Sequence, residues 1–380
     1  MNGWQVFYAD WRYVIGNLVV VALLALAGLL VRRASKRDYW QEAARRALSP
    51  ARARVCFAIV AVYVIIGLLD SVGWRDPLRE ENGDVARTSA GDVVREARGR
   101  TLLDRLDGVT FRLGEKTERT FSEPLATHAF SKETTRLHDG TTARTYAPLT
   151  HPRAHPFGTD KVGDDVLWKS FKGVRTALVI GGFTTIVVIP FAIFFGTVAG
   201  YFGKRVDDAI TYVYSTLASI PDVLIIAAFI LSFGRGLFQL CLIMGITSWT
   251  GLCRILRGEA LKLREQDFVQ AAQTFGVPQL QIIARHIVPN VMHLVLISSV
   301  LRFSGLVLSE ALLSYLNIGV GPGTASWGSM INDARFELAR EPVVWWNLVA
   351  AFGFMFGLVL PANIVGDSVR DALDPRLRTE

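Results

Sequence analysis

Seven stretches of the chain are predominantly apolar, and charged stretches separate them: residues 13–31, 55–72, 176–201, 209–233, 237–256, 291–316 and 343–364. Each approaches the roughly 20 apolar residues that a membrane-spanning helix needs. The pattern predicts an all-α polytopic membrane protein with about seven spans. Basic residues set the direction. Residues 32–54 carry eight Lys/Arg against Asp38 and Glu42, which marks a cytoplasmic loop between the first two spans. Arg12 is the only basic residue before the first run, while Arg32, Arg33, Lys36 and Arg37 follow it. A secretory signal has the reverse order. The first run is therefore predicted as a retained helix with its N-terminus outside, and the count of spans puts the C-terminus in the cytoplasm. Gly196, Gly200 and Gly203, four and three apart, predict a close helix contact in the third span.

Two polar regions interrupt the runs. In the first, residues 73–172, seventeen basic and sixteen acidic residues nearly balance. Asp107-Gly108 precedes Val109-Thr-Phe-Arg-Leu113, and Asp139-Gly140 lies between 134–138 and 141–146. Asp-Gly between such segments is a hairpin signal. Residues 73–156 are predicted as a small extracytoplasmic α+β insert, with local disorder allowed between 80 and 105, where aromatics are few. His151 and His155 are four apart, but Pro152 and Pro156 break a helix that would bring them together, so no metal site is expected. The chain divides into 1–72, 73–156 and 157–380.

The second polar region is 257–290. Leu261, Phe268, Ala272 and Phe275 follow steps of seven, four and three, which is helical spacing. Gly276 suits a left-handed cap, and Pro278 suits the first turn of a following helix. Leu280, Ile283, Ala284 and Ile287 form that helix's stripe, and Pro289 ends it. Two amphipathic helices, the first over 261–275, are predicted around a Gly-x-Pro bend.

Gln270-Ala-Ala-x-x-x-Gly276, nine residues, then His286-Ile-Val-Pro289, resembles the EAA loop of ABC importer permeases. Gln270 stands for the pattern's Glu, His286 for Ile and Val288 for Leu. Three further segments resemble the oligopeptide and dipeptide (peptide/nickel) branch of that family. They are Phe157-Gly-Thr-Asp-Lys-Val-Gly-Asp-Asp-Val-Leu167, in which Asp164 replaces an Arg, Gly321-Pro-Gly-Thr-Ala-Ser-Trp-Gly328, and Gly366-Asp-Ser-Val-Arg-Asp-Ala-Leu-Asp-Pro-Arg376. In the first of these, Asp160 is read as the cap of an amphipathic helix. The resemblance covers residues 157–376. It implies a type I ABC importer permease fold with a five-helix core at 157–380, preceded by a first span and a long insert that the usual six-span subunit lacks.

The same resemblance implies that 257–290 is a cytoplasmic coupling loop docking into an ATPase. Phe268 and Phe275 would supply apolar contact, Gln270 a polar contact and Gly276 the bend, with Ala271, Ala272 and Pro289 as the further coupling residues. It further implies a second permease subunit, two ATPase subunits, an extracytoplasmic substrate-binding protein and surrounding lipid. A P-loop would read G-x-x-x-x-G-K-[ST]. The Gly-Lys pair Gly203-Lys204 is followed by Arg205, so no nucleotide site is expected here and ATP would be bound by partner chains. The chain itself is then not an enzyme. Peptides are the substrate that the resemblance implies, with nickel chelates carried by close relatives. A channel or secondary transporter is the competing class, though no internal repeat supports it. A membrane enzyme would want clustered His or carboxylates in the spans.

Composition agrees: 51% hydrophobic and 20% charged residues, with a mean hydropathy of +0.32. The net charge of +7 does not point to nucleic acid, because the basic residues sit beside apolar runs. Cys56, Cys241 and Cys253 all lie in apolar runs, which predicts buried thiols.

Charges inside the runs are costly, by roughly 2.5–3.5 kcal/mol even on insertion scales. Asp222 and Arg302 lie about halfway along two spans that run outward. They are predicted to pair, or to face one cavity at the partner interface. Glu310 shares the face of Arg302 and is expected near the outer surface.

Overall fold

The computed structural model describes residues 3–36, 38–78, 86, 87, 94, 99–136, 142–321 and 323–373. The chain starts with α1 (Gly3–Ala34), α2 (Asp38–Ala47) and α3 (Ala51–Ser71). Short strands β1 (Gly73–Trp74) and β2 (Arg100–Thr101) pair antiparallel, and α4 (Leu102–Val109) follows directly. A longer antiparallel hairpin joins β3 (His128–Arg136) to β4 (Thr142–Pro148). Then come α5 (Val166–Phe202), α6 (Lys204–Ser219), α7 (Asp222–Phe233) and α8 (Leu237–Arg264). The second polar region holds α9 (Asp267–Thr274) and α10 (Gln279–Ile282), and a π-helical turn (Ile283–Ile287) leads into α11 (Val288–Tyr315). The chain closes with α12 (Trp327–Glu337) and α13 (Trp346–Leu373).

Among the described residues, six helical stretches are long and apolar enough to cross a membrane; α6 and α7, taken as one broken span, make seven. The predicted single span over 209–233 is therefore corrected. Its two halves meet at an angle of 81°. Pro221 has no N–H to continue the ladder and pushes the residue before it out of the helical region. Ile220 is accordingly extended, at φ −93° and ψ 131°. Helix α2, in the basic loop, carried no apolar run and was not predicted.

Two compact units divide the chain. The first is Met1–Gln41, Ala61–Arg175 and Glu337–Phe354. Here the insert packs with the first turns of α5 rather than ending at residue 156. Lys172 of α5 forms ion pairs with Asp70 of α3 and Asp104 of α4. Thr101 and Asp104 form a capping box at the start of α4. The predicted strand at Val109–Leu113 is absent. Asp107-Gly108 belongs to α4, and the Asp107 carboxylate accepts from the N–H groups of Leu113 and Gly114, holding a turn. The hairpin does form, with Thr134 opposite Arg144 and Arg136 opposite Thr142. Its Asp139-Gly140 turn lies outside the described residues, as does most of 80–105.

Asp165 caps α5, its Oδ1 accepting from Trp168 N at 2.8 Å; Asp160, predicted for that role, holds the preceding loop through Val162 N and Asp164 N. The imidazole of His155 is buried, 2.8 Å from Asp165 and 3.8 Å from Glu118, and His151 lies 3.6 Å from the same Glu118. The two histidines thus converge through a loop, where the proline argument kept them apart. No group of three or more potential metal ligands occurs among the described residues. Gly163 makes this packing possible. Its φ is +85°, and a Cβ there would lie 1.8 Å from the Glu118 carbonyl oxygen.

The second unit is Glu42–Val60, Thr176–Phe336 and Met355–Glu380. Helices α5 and α8 touch backbone to backbone at Gly196 and Gly200, where a Cβ would meet Cys253 O at 2.8 Å and Arg257 O at 2.5 Å. Gly203 instead closes α5 with a φ of +64°. Tyr201, Trp249, Leu252, Leu256 and Ala260 form the core beside this contact. The three cysteines are buried and unpaired.

Candidate functional site

The predicted first helix over 261–275 is divided. Helix α8 runs on to Arg264, and α9 begins only at Asp267. Arg257 fixes the end of α8 to α6 by a two-point contact with Asp207, one arm of which, Nη2 to Oδ2, is 2.7 Å. Helix α9 then presents Val269 and Ala272 to the core of the second unit. Gln273 donates to the Tyr201 hydroxyl at 3.2 Å. Gly276 closes α9 with φ +73°, and Val277 N bonds back to Ala272 O at 3.1 Å. That is the left-handed cap in which glycine alone carries no Cβ penalty. Short helix α10 starts after Pro278, as predicted.

Beyond α10 the second prediction is corrected as well. The helix does not end at Pro289; it continues as α11. Pro289 has no N–H, and its ring would crowd the carbonyl four residues back. The backbone widens just before it: Val288 N bonds to Ile283 O, five residues away. The buried side chains are Ile282, Ile283 and Ile287, while Leu280 is 68% exposed.

The apolar faces are thus the reverse of a closed helical hairpin. Phe268 is 43% exposed and Phe275 87% exposed, while Ala272 of the same helical stripe is buried. Ala271, Gln270 and Ala284 are also exposed. Gln270 Nε2 donates to Glu265 O at 3.1 Å. The anchor that sequence reasoning missed is Val269, fully buried. Its spacing of three from Ala272 was the available signal. The result is an α9–Gly276–α10 hairpin held from below by Val269, Ala272, Ile282 and Ile283, with Phe268, Phe275 and Leu280 turned outward.

The three intramembrane charge candidates have separate surroundings among the described residues. Asp222 is exposed at the first turn of α7, beside the break, rather than halfway along a span. Arg302 donates through Nη1 to Ser248 O at 2.8 Å. No ion pair joins Asp222 and Arg302. Glu310, five residues before the end of α11, is buried and accepts from the Ser314 hydroxyl at 2.6 Å. Pro221 starts a new helix where one straight span was assumed.

Residues 192–379 match the family model described as binding-protein-dependent transport system inner membrane component. That range contains the hairpin and Arg302. The oligopeptide transport system permease protein OppC of Bacillus subtilis (strain 168) is 35% identical over 224 residues, covering 59% of this chain and 72% of the relative. OppC of Haemophilus influenzae is 34% identical, with 59% and 71% covered. The dipeptide transport system permease protein DppC of Bacillus subtilis is 32% identical, with 59% and 69% covered. A solved structure of the MetNI methionine ABC transporter in an inward-facing conformation matches 55% of this chain and 94% of its own at 14% identity, with a TM-score of 0.41.

Proposed function

This chain belongs to the family of binding-protein-dependent transport system inner membrane components, and from that premise we propose how it acts as a permease subunit of an ATP-driven importer of peptides. The type I importer permease fold supplies the spans, and the protein is a multi-pass inner-membrane protein. The observation that carries the mechanism is the hairpin α9–Gly276–α10, with Phe268 and Phe275 exposed at its outer side. It lies outside the apolar runs, flanked by Arg254, Arg257, Lys262 and Arg264, which are the marks of a cytoplasmic loop. Apolar side chains left in water at the end of a rigid support are the usual anchors of a protein interface.

The partner is an ATPase subunit that binds and hydrolyses ATP. Two such subunits serve this chain and a second permease, each docking one hairpin. When the ATPases close, the hairpin moves as a body, because Val269 and Ala272 tie it to the core and α11 leaves it without a loop. The motion re-packs α11 and opens the path to the other side. Such transitions are rigid-body shifts between two packings. The N-terminus and the insert lie outside, where the insert meets a substrate-binding protein, and the C-terminus lies in the cytoplasm. Lipid surrounds the spans.

Copurification followed by ATP hydrolysis in proteoliposomes tests this. Hydrolysis should rise when peptide and binding protein are present. Peptide uptake driven by an ion gradient, with no ATPase chain attached, would replace the reading with a secondary transporter. Deleting residues 80–145 tests the insert: docking of the binding protein should weaken, and unchanged docking and uptake would make the insert a spacer.

A further inference from the structure

Helices α8 and α11 each have 28 residues, and a guanidinium sits where their midpoints meet. Arg302 is the fifteenth residue of α11. Its Nη1 donates to Ser248 O of α8. Its Nη2 lies 2.5 Å from the place a Cβ would take at Gly251, also of α8. Gly251 is thus the notch that lets the guanidinium lie against α8. An arginine has five N–H donors in a planar fork, and the fork suits a carboxylate. No carboxylate comes within ion-pair distance of it among the described residues. The side chain is only half-buried.

The helix face around it is unusual for a span. Ser298, Arg302, Gly305 and Ser309 follow steps of four, three and four, which puts them on one side of α11. Gly305 and Ser309 are exposed, and a Cβ at Gly305 would meet nothing within 4 Å. Lipid favours large apolar side chains. A strip of serine and glycine around a charge at mid-span instead lines a path or a polar cavity.

We propose that Arg302 is a substrate subsite, and that its guanidinium receives the C-terminal carboxylate of the translocating peptide, with Ser298 and Ser309 as flanking hydroxyls. The inference rests on the peptide-importer reading and deepens it. A terminal carboxylate is common to peptides whatever their side chains, so one fixed cation serves the class without selecting a sequence. The small residues beside it leave room for a main chain, and that space is what favours a passing ligand over a permanent acidic side chain of a partner.

The test uses the complete transporter in proteoliposomes and one peptide in two forms, free acid and C-terminal amide. The binding protein's own preference is the same for every permease variant, so a change in the acid-to-amide uptake ratio reports the permease. The wild type should favour the acid, and Arg302→Gln should lower the ratio by about tenfold, the scale of a lost charge-assisted hydrogen bond. Arg302→Lys should keep part of it. Gly251→Ala crowds the guanidinium without removing it and should lower the ratio too, which covers the case in which Arg302→Gln fails to assemble. An unchanged ratio in both Arg302→Gln and Gly251→Ala overturns the subsite while leaving peptide import standing. A wild-type complex that assembles with its ATPases but imports neither form overturns the peptide reading itself, and the subsite with it. Loss of the second permease from Arg302→Gln, with an unchanged ratio in Gly251→Ala, would show an inter-subunit ion pair and end the proposal.

Discussion

The base of the insert and the hairpin at 267–282 use opposite chemistry at the surface of the same chain. At the base of the insert, charged groups are turned inward and answered. Glu118 accepts from Thr150 N and His151 N, Asp165 meets His155 and caps α5, and Lys169 binds Asp160 at 2.7 Å. At the hairpin, apolar groups are turned outward: Phe275 is 87% exposed, and Phe268 is 43% exposed beside the His286 ring. Full burial of a phenylalanine contributes about 1.5–3 kcal/mol, and Phe275 forgoes most of that in this chain alone. A polar cluster that satisfies itself holds a fold together. An apolar surface that none of the described residues covers is open to another chain. The difference separates a structural joint from the contact proposed for the hairpin, and both are measurable.

The strongest way to break the contrast is at the hairpin's exposed rings. Phe268→Asp with Phe275→Asp should leave membrane insertion and thermal stability near wild type, since both rings are exposed. Uptake should fall by about a hundredfold, because interface anchors lose about 2 kcal/mol or more on truncation. Pull-down of the ATPase and a peptide-uptake assay check both halves; retained uptake would make the rings bystanders.

Gly276 gives the next effect. Its Cβ space is empty, so the cost of a side chain there is conformational, about 1–2 kcal/mol for a left-handed backbone. Gly276→Val should lower uptake by about tenfold with insertion intact. Gly276→Asn should stay near wild type, because asparagine tolerates that conformation. Equal activity of the two variants would remove the cap from the mechanism.

The polar side of the comparison is sharpened by acid. Burial pushes the Glu118 carboxyl up, but the Thr150 and His151 N–H groups outweigh it and hold it below the ordinary range. Asp104 is shifted the same way: burial raises it, and Lys172 with Thr101 lowers it further. A carboxyl depressed in the folded state contributes stability that is full above its unfolded value of about 4 and is lost as pH falls through the folded value. Thermal stability of the solubilised chain should therefore fall as pH drops below about 4. Glu118→Gln should cost about 1.5–3 kcal/mol at neutral pH and flatten that acid slope. A parallel slope in the variant would assign the acid sensitivity elsewhere.

The smallest effect is expected at Gln270. Its bond to Glu265 O is exposed and contributes about 0.5 kcal/mol. Gln270→Glu, which restores the residue of the motif it resembles, should change uptake by less than about twofold.

The sequence was legible where one force dominated. Long apolar runs identified the spans, and Gly276 and Pro278 identified the bend, because hydrophobic length and backbone conformation are local properties. It misled where two forces competed. Pro221 sits within an apolar run, so hydropathy read one helix and the backbone made two. The stripe of Phe268, Ala272 and Phe275 named no buried anchor for α9 beyond Ala272, and Val269, off that stripe, supplies it. Asp107-Gly108 looked like a turn between strands, yet the Asp107 carboxylate found N–H groups after a helix. His155, Asp165 and Glu118 are far enough apart in sequence that only the loop's path unites them.

The widened turn at Ile283–Ile287 amounts to one surplus residue wound into a continuous rod. An α-helix advances about 100° per residue. Deleting a single residue there would restore a regular winding and turn the hairpin about 100° around the axis of α11. The side of the rod that carries Arg302 and the side that faces the hairpin's support are thus set in phase by a residue count. An insertion or deletion between 283 and 287 would rotate the hairpin against the face that carries Arg302, even with every other side chain unchanged.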